Sequence, residues 1–167
     1  MKSGRMAIKE RNRLIKEEES FCQETTLTGK GILNSLKKIK DLGYQINMYY
    51  VGVDDPNISL ERIKNRVSKG GHGIDEEVVR RRYESSLENL KEAFKICDNI
   101  TIYDNTRNFT KIAWFEKGDL VFYKNKNNVS WLEKTLGADL LKTQKEQAIN
   151  RNKRKMKTRN LDNEIER

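Results

Sequence analysis

Tyr44-Gln45-Ile46-Asn47-Met48-Tyr49-Tyr50-Val51-Gly52-Val53-Asp54-Asp55-Pro56 is the stretch on which the fold turns. Ile46, Met48, Tyr50, Val51 and Val53 give it the β-branched, aromatic and apolar content of a strand. Asp54-Asp55-Pro56 then ends the strand in a turn. Beyond Pro56 the apolar period changes. Leu60, Ile63 and Val67 share one face of a helix, for which Asn57 or Ser59 is the expected cap. Lys69-Gly70-Gly71-His72-Gly73 breaks that helix. Asp75 caps a second, whose Val79, Tyr83, Leu87, Leu90 and Phe94 recur at steps of three and four and need burial. Ile100 to Tyr103 returns to strand. Helices alternating with short apolar strands argue an α/β unit with a largely parallel sheet.

The flanks fit this reading. Residues 5 to 18 place Met6, Ile8, Leu14 and Ile15 in a weak helical pattern, and Ser20-Phe21-Cys22-Gln23 reads as a small strand ending in Glu24-Thr25-Thr26. After Gly29 and Gly31, Ile32, Leu33, Leu36 and Ile39 predict a helix over 32–42 that stops at Gly43. Downstream, Ile112 to Phe115 and Leu120 to Tyr123 form an expected antiparallel pair around Lys117-Gly118-Asp119, at an edge of the sheet. Trp131 to Leu136 reads as a short helix. Residues 1–142 are thus one core, and 143–167, with Arg151-Asn152-Lys153-Arg154-Lys155, a solvated basic tail.

At 167 residues, 35% hydrophobic and 35% charged, the chain suits one domain with a modest core. No stretch reaches the length of a membrane span, and the charged start gives no secretory signal, so the expected compartment is the cytoplasm. Cys22 and Cys97 form no disulfide framework, and with one histidine they offer no zinc spacing. A net charge of +9 suits phosphate-bearing partners, nucleotides or nucleic acids alike.

Phosphoryl transfer in an α/β protein calls for a glycine-rich turn opening a helix, with a lysine and then a serine or threonine. Gly29-Lys30 lacks both the earlier glycine and the hydroxyl residue, and reads as a turn. Arginines are the next resource. With Tyr83 at the centre of the buried stripe, Arg80 and Arg82 flank it and can reach a cleft, while Arg81 faces water. Arg66, just before the glycine-rich break, has a fork suited to two phosphate oxygens. A solvated basic face accounts for the same residues. Glu24, Thr25 and Thr26 stand at an expected strand end, where α/β folds place ligands; a capping role fits them equally. Asp104-Asn105-Thr106 has similar character, with an Asx turn as the plainer account.

Taken in order, Ser3-Gly4-Arg5-Met6-Ala7, Ser20 to Gly29, Arg66-Val67-Ser68-Lys69-Gly70-Gly71-His72, Arg80-Arg81-Arg82-Tyr83 and Tyr103-Asp104-Asn105-Thr106 resemble the zeta-toxin-like kinases. These are P-loop phosphotransferases whose better-known members phosphorylate UDP-N-acetylglucosamine with ATP. The likeness covers about residues 3 to 137 and resembles the later part of that family. It implies a P-loop kinase-like parallel sheet with helices on both faces, and ATP with Mg2+ as cofactors. By resemblance, Glu24, Thr25 and Thr26 would line the sugar-nucleotide side, and Arg66, Arg80 and Arg82 would be lid arginines that neutralise the transferring phosphates. His72 would belong to the loop between them, and Asp104 and Asn105 to the segment near the nucleotide base. The family's first strand, phosphate-binding loop and general-base aspartate have no counterpart in these residues. The expectation is a kinase-family fragment, inactive alone, with strand neighbours of the missing strand left unpaired. Its expected partner is an upstream-encoded N-terminal kinase fragment or an antitoxin. The alternative is a nucleic-acid-binding or protein-interaction module, using the tail for nucleic acid.

Overall fold

The computed structural model describes residues 2–124 and 129–137, together with 146, 149 and 150. The basic tail expected over 143–167 lies, apart from those last three positions, outside the described residues.

The chain begins with α1 (Lys2–Lys16) and, after an extended segment, α2 (Lys30–Asp41). Gly43 stops α2 as expected: its φ of 88° is left-handed, and its amide donates to the Lys40 carbonyl at 2.9 Å. Next come β1 (Asn47–Gly52), α3 (Pro56–Ser68), α4 (Glu76–Ala93) and β2 (Asn99–Asp104). The strand is shorter than the apolar run that announced it.

The cap of α3 differs from expectation. Asp55, rather than Asn57 or Ser59, accepts the Asn57 amide at 2.7 Å, and Pro56 opens the helix. A proline at the first helical position has its φ preset and loses no bonded amide, so the start moves ahead of the other candidates. Asp75 caps α4 as expected, accepting from the Glu77 amide at 2.9 Å. The chain then forms β3 (Thr110–Glu116), β4 (Asp119–Tyr123) and α5 (Ser130–Leu136). Between β3 and β4, Lys117 and Gly118 have φ of 49° and 83°, the double positive φ that a tight hairpin turn requires.

The protein is a mixed α/β fold with one open sheet in the order β1-β2-β3-β4. Among the described residues only β1 and β2 run parallel; β3 and β4 add antiparallel strands, so the sheet is less parallel than the alternation of elements suggests. Ser20–Gln23 is not a strand. Phe21 packs edge-on against Tyr44, with ring centres 6.2 Å apart, and the Tyr44 hydroxyl donates to the Glu19 carbonyl at 3.3 Å. These anchors hold the segment without a hydrogen-bonded ladder, and four apolar-to-polar residues with no ladder partner do not make a strand.

The core lies on one face of the sheet. Leu90 and Ala93 of α4, Ile102 of β2 and Leu132 of α5 are completely buried, joined by Phe115 and Trp131. Phe94 meets Phe115 edge to face at 4.7 Å. Each such large side chain contributes about 1.5–3 kcal/mol by leaving water. Asp98 fastens the lower edge of this layer: it pairs with Lys40 from α2 and accepts the Ile46 amide at 2.8 Å. The lysine first, and then that amide, hold its carboxyl below the usual carboxylate range. On the opposite face Tyr49 and Val51 are exposed, and no second helical layer covers them among the described residues.

Candidate functional site

The carboxyl ends of β1 and β2 meet the α3–α4 hairpin, and most of the sequence-derived site residues gather there. Asp54, just after β1, accepts from the Ser130 hydroxyl at 2.6 Å and the Trp131 amide at 3.2 Å, so it holds the start of α5. Asp104, at the end of β2, accepts from the Trp131 indole at 3.0 Å and from the Thr106 hydroxyl at 2.6 Å. Thr106 Oγ1 in turn accepts the Asp54 amide at 3.0 Å. The two aspartates therefore share Trp131 and Thr106, and both carboxylates face inward to protein donors. Asn105 contributes backbone: its amide donates to the Gly52 carbonyl at 2.8 Å, and its carbonyl accepts from Arg62 at 2.6 Å.

Tyr83 crosses from α4 to the same strand end. Its hydroxyl is shared by the Val53 and Asp54 carbonyls at 3.0 and 3.2 Å. Burial first, and then the Asp54 charge, push its acidity constant up to about 12, so it stays a neutral donor across the physiological range.

The arginines divide into three situations. Arg80 is half-buried: two of its nitrogens donate to Glu76 at 2.9 and 2.6 Å, and one also reaches Asn57 at 2.8 Å. It joins the first turns of α4 and α3 with its charge already paired. Arg66, in the last turn of α3, donates to the His72 carbonyl at 2.9 Å and folds over Gly71, where an added Cβ would come within 2.5 Å of its side chain. Only glycine lets the guanidinium stem lie there. Arg82 is exposed and has no ion pair or side-chain hydrogen bond among the described residues. Arg81 is exposed as well. The helical geometry that set Arg80 beside the buried stripe therefore holds for Arg80, while Arg82 points to solvent. His72 is exposed, and its backbone rather than its ring makes the contact with Arg66.

Glu24, Thr25 and Thr26 are exposed and lie in the extended segment before α2. Thr25 accepts the Leu27 amide at 3.1 Å and Thr26 shares a hydrogen with Thr28 at 2.9 Å, both local contacts. Asn89 of α4 ties this segment down by donating to the Leu27 carbonyl at 2.8 Å. No hydrogen bond or ion pair links these residues to the arginines among the described residues.

Sequence reasoning passed over Arg62, Asp54 and Trp131. Arg62 stands one helical turn before Arg66, and that spacing on one face of α3 was a usable signal. Asp54 stood at an expected strand end and read as a turn ahead of Pro56, while Trp131 gave no signal: Asp54 meets Ser130 and Trp131 across 76 and 77 positions of the chain.

The residues present do not form a complete site for ATP and Mg2+. No glycine-rich phosphate loop occurs in the sequence, and among the described residues no three His, Cys, Asp or Glu side chains gather as metal ligands do. No helix among the described residues is long and apolar enough to cross a membrane.

Comparison with known proteins adds little. No family model matches the chain, and no solved structure matches it. An uncharacterized protein of Haemophilus influenzae is 40% identical over 81 residues, a match covering 48% of this chain and 58% of that relative.

Proposed function

We propose that this chain supplies the arginine-bearing lid and part of the substrate side of a phosphoryl-transfer enzyme resembling the zeta-toxin-like kinases. In this reading the phosphate-binding loop comes from polypeptide outside these residues. The observation that carries the proposal is the α3–α4 hairpin, which rises from the carboxyl ends of the one parallel strand pair and presents Arg62, Arg66, Arg80 and Arg82. Ligands in open α/β sheets bind beyond the carboxyl ends of strands. Arginines there act by spreading positive charge over phosphate oxygens as charge develops. Arg80 is oriented by Glu76 and Asn57, and Arg82 is exposed with no ion pair or side-chain hydrogen bond among the described residues. Glu24, Thr25 and Thr26 remain the proposed sugar-nucleotide contacts, with His72 in the lid and Asp104 and Asn105 near the base. Asp104 can serve a base only through an oxygen that Trp131 and Thr106 leave open. Among the described residues no strand pairs with the outer edge of β1, where a strand from outside these residues could add to the sheet.

Titration calorimetry of the folded chain with ATP and Mg2+ tests this reading. The expected result is no micromolar binding, and no turnover when UDP-N-acetylglucosamine is added. Micromolar binding, or multiple turnover by the chain alone, would show that these residues build a nucleotide site without the loop and would overturn the proposal.

A further inference from the structure

The sheet face turned away from the core carries a pattern that the arginine hairpin does not use. Strand register sets Tyr49, Thr101, Trp114 and Phe122 in one row across all the strands. Val51, Tyr103 and Lys111 form the next row, and Asn47, Asn99, Glu116 and Asp119 the row on the other side. Tyr49 is 71% exposed and Phe122 40% exposed. Phe109, itself 63% exposed, stacks on Tyr103 with ring centres 4.7 Å apart and planes within 13°. The Lys111 ammonium stands 5.2 Å from the Trp114 ring and 5.6 Å from the Phe122 ring. Between the outer aromatics sits Thr101, a small residue that leaves Tyr49 and Trp114 about 10 Å apart, two strand spacings.

We propose that this face binds single-stranded nucleic acid, stacking bases on Tyr49, Trp114 and Phe122. Aromatic rings displayed on an uncovered four-stranded sheet present their π-faces to unstacked bases, and every base has a π-face to return. Asn47 and Asn99 set amides beside the rings, groups that hydrogen-bond to base edges, while Thr101 is buried between Tyr49 and Trp114. The Asn99 amide donates to Asn47 at 2.7 Å, which leaves each side chain further capacity. Lys111 is exposed on a flexible stem; a base that takes its place over Trp114 sends its ammonium to a phosphate. Glu116 and its register partner Asp119 are carboxylates of this face, and both lie in the marginal row rather than among the rings. The chain's net charge of +9 supplies the long-range attraction that a polyanion needs. The positive charge of the whole chain, rather than of the face itself, opposes docking of a second copy and favours a polyanion.

The test uses the purified chain with fluorescein-labelled oligo(U) and oligo(dT) of roughly 12 nucleotides, a length suited to one small binding face. Anisotropy is read at about 50 mM salt, where phosphate contacts are strong. Trp131 is buried, so quenching of tryptophan emission reports Trp114. The expected result is binding with quenching, about tenfold or more weaker for a duplex of the same length, whose bases are already stacked. Comparing the two oligonucleotides tells RNA from DNA as the preferred source. Tyr49→Ala and Phe122→Ala, which change no charge, should each weaken binding about tenfold, the size of one lost stack. Lys111→Gln should lower the salt slope by about one. Absence of binding, equal binding to duplex, or unchanged affinity in the Tyr49→Ala and Phe122→Ala variants would overturn the proposal; in the last case the basic surface alone is responsible. None of these residues belongs to the arginine hairpin, so micromolar ATP binding, which would overturn the lid reading, leaves this inference standing.

Discussion

The two faces of β1 show how differently one strand can be used. Met48 and Tyr50 turn inward, where Tyr50 meets Trp131 at 5.9 Å and donates or accepts a hydrogen bond with Ser86 at 3.0 Å. Tyr49 and Val51, one residue along in each case, stand in solvent. Side chains alternate across a strand, so apolar content alone does not say which face is covered. A half-buried sheet ordinarily puts polar groups on its outer face. Here the outer face carries aromatic rings among its polar groups, which is the pattern behind the proposed nucleic-acid surface.

Three substitutions would break or sharpen this contrast. Leu90→Ala, at a completely buried position on the core side, should cost about 2–5 kcal/mol and lower the urea midpoint accordingly. A loss under about 1 kcal/mol would mean that α4 is not packed as described. Gly52→Ala comes next. A Cβ there would lie 2.4 Å from the Trp131 ring, so overpacking should cost about 1–3 kcal/mol and alter the near-ultraviolet signal of that indole. Wild-type stability with an unchanged spectrum would contradict the close approach of α5 to β1. Tyr49→Ala should have the smallest effect, within about 0.5 kcal/mol, because its side chain is mostly in water. If it proved as costly as Leu90→Ala, the outer face would have to be covered in solution.

Much of the fold was legible. The stripe from Val79 to Phe94 announced α4, and Asp75 announced its cap, because both signals are local: a helical period, and a carboxylate placed to accept a free amide. Ser20–Gln23 failed for the converse reason. A strand exists only with a ladder partner, and β-forming content does not say whether one is present. The cap of α3 went to Asp55 because Pro56 set the helix start, a competition among neighbours that residue preference alone leaves open. At the candidate site, helical geometry placed Arg80 correctly beside the buried stripe, yet its pairing with Glu76 and Asn57 was not foreseen. Asp104 was singled out for a ligand, and its carboxylate turned out to hold Trp131.

What the sequence by itself determined is the set of elements written in local periodicity: the helices, the apolar runs that become strands, the glycine stop at Gly43, and the net basic charge. Tertiary structure alone decided which strands run parallel, which sheet face is packed, and which polar groups are already satisfied. Asp54 and Asp104 look free in the sequence and are engaged by α5; Tyr49, Trp114 and Phe122 look like core and share an open row. The physical reason is that burial and hydrogen-bond satisfaction belong to pairs of residues brought together from distant parts of the chain, and no local pattern encodes the pairing.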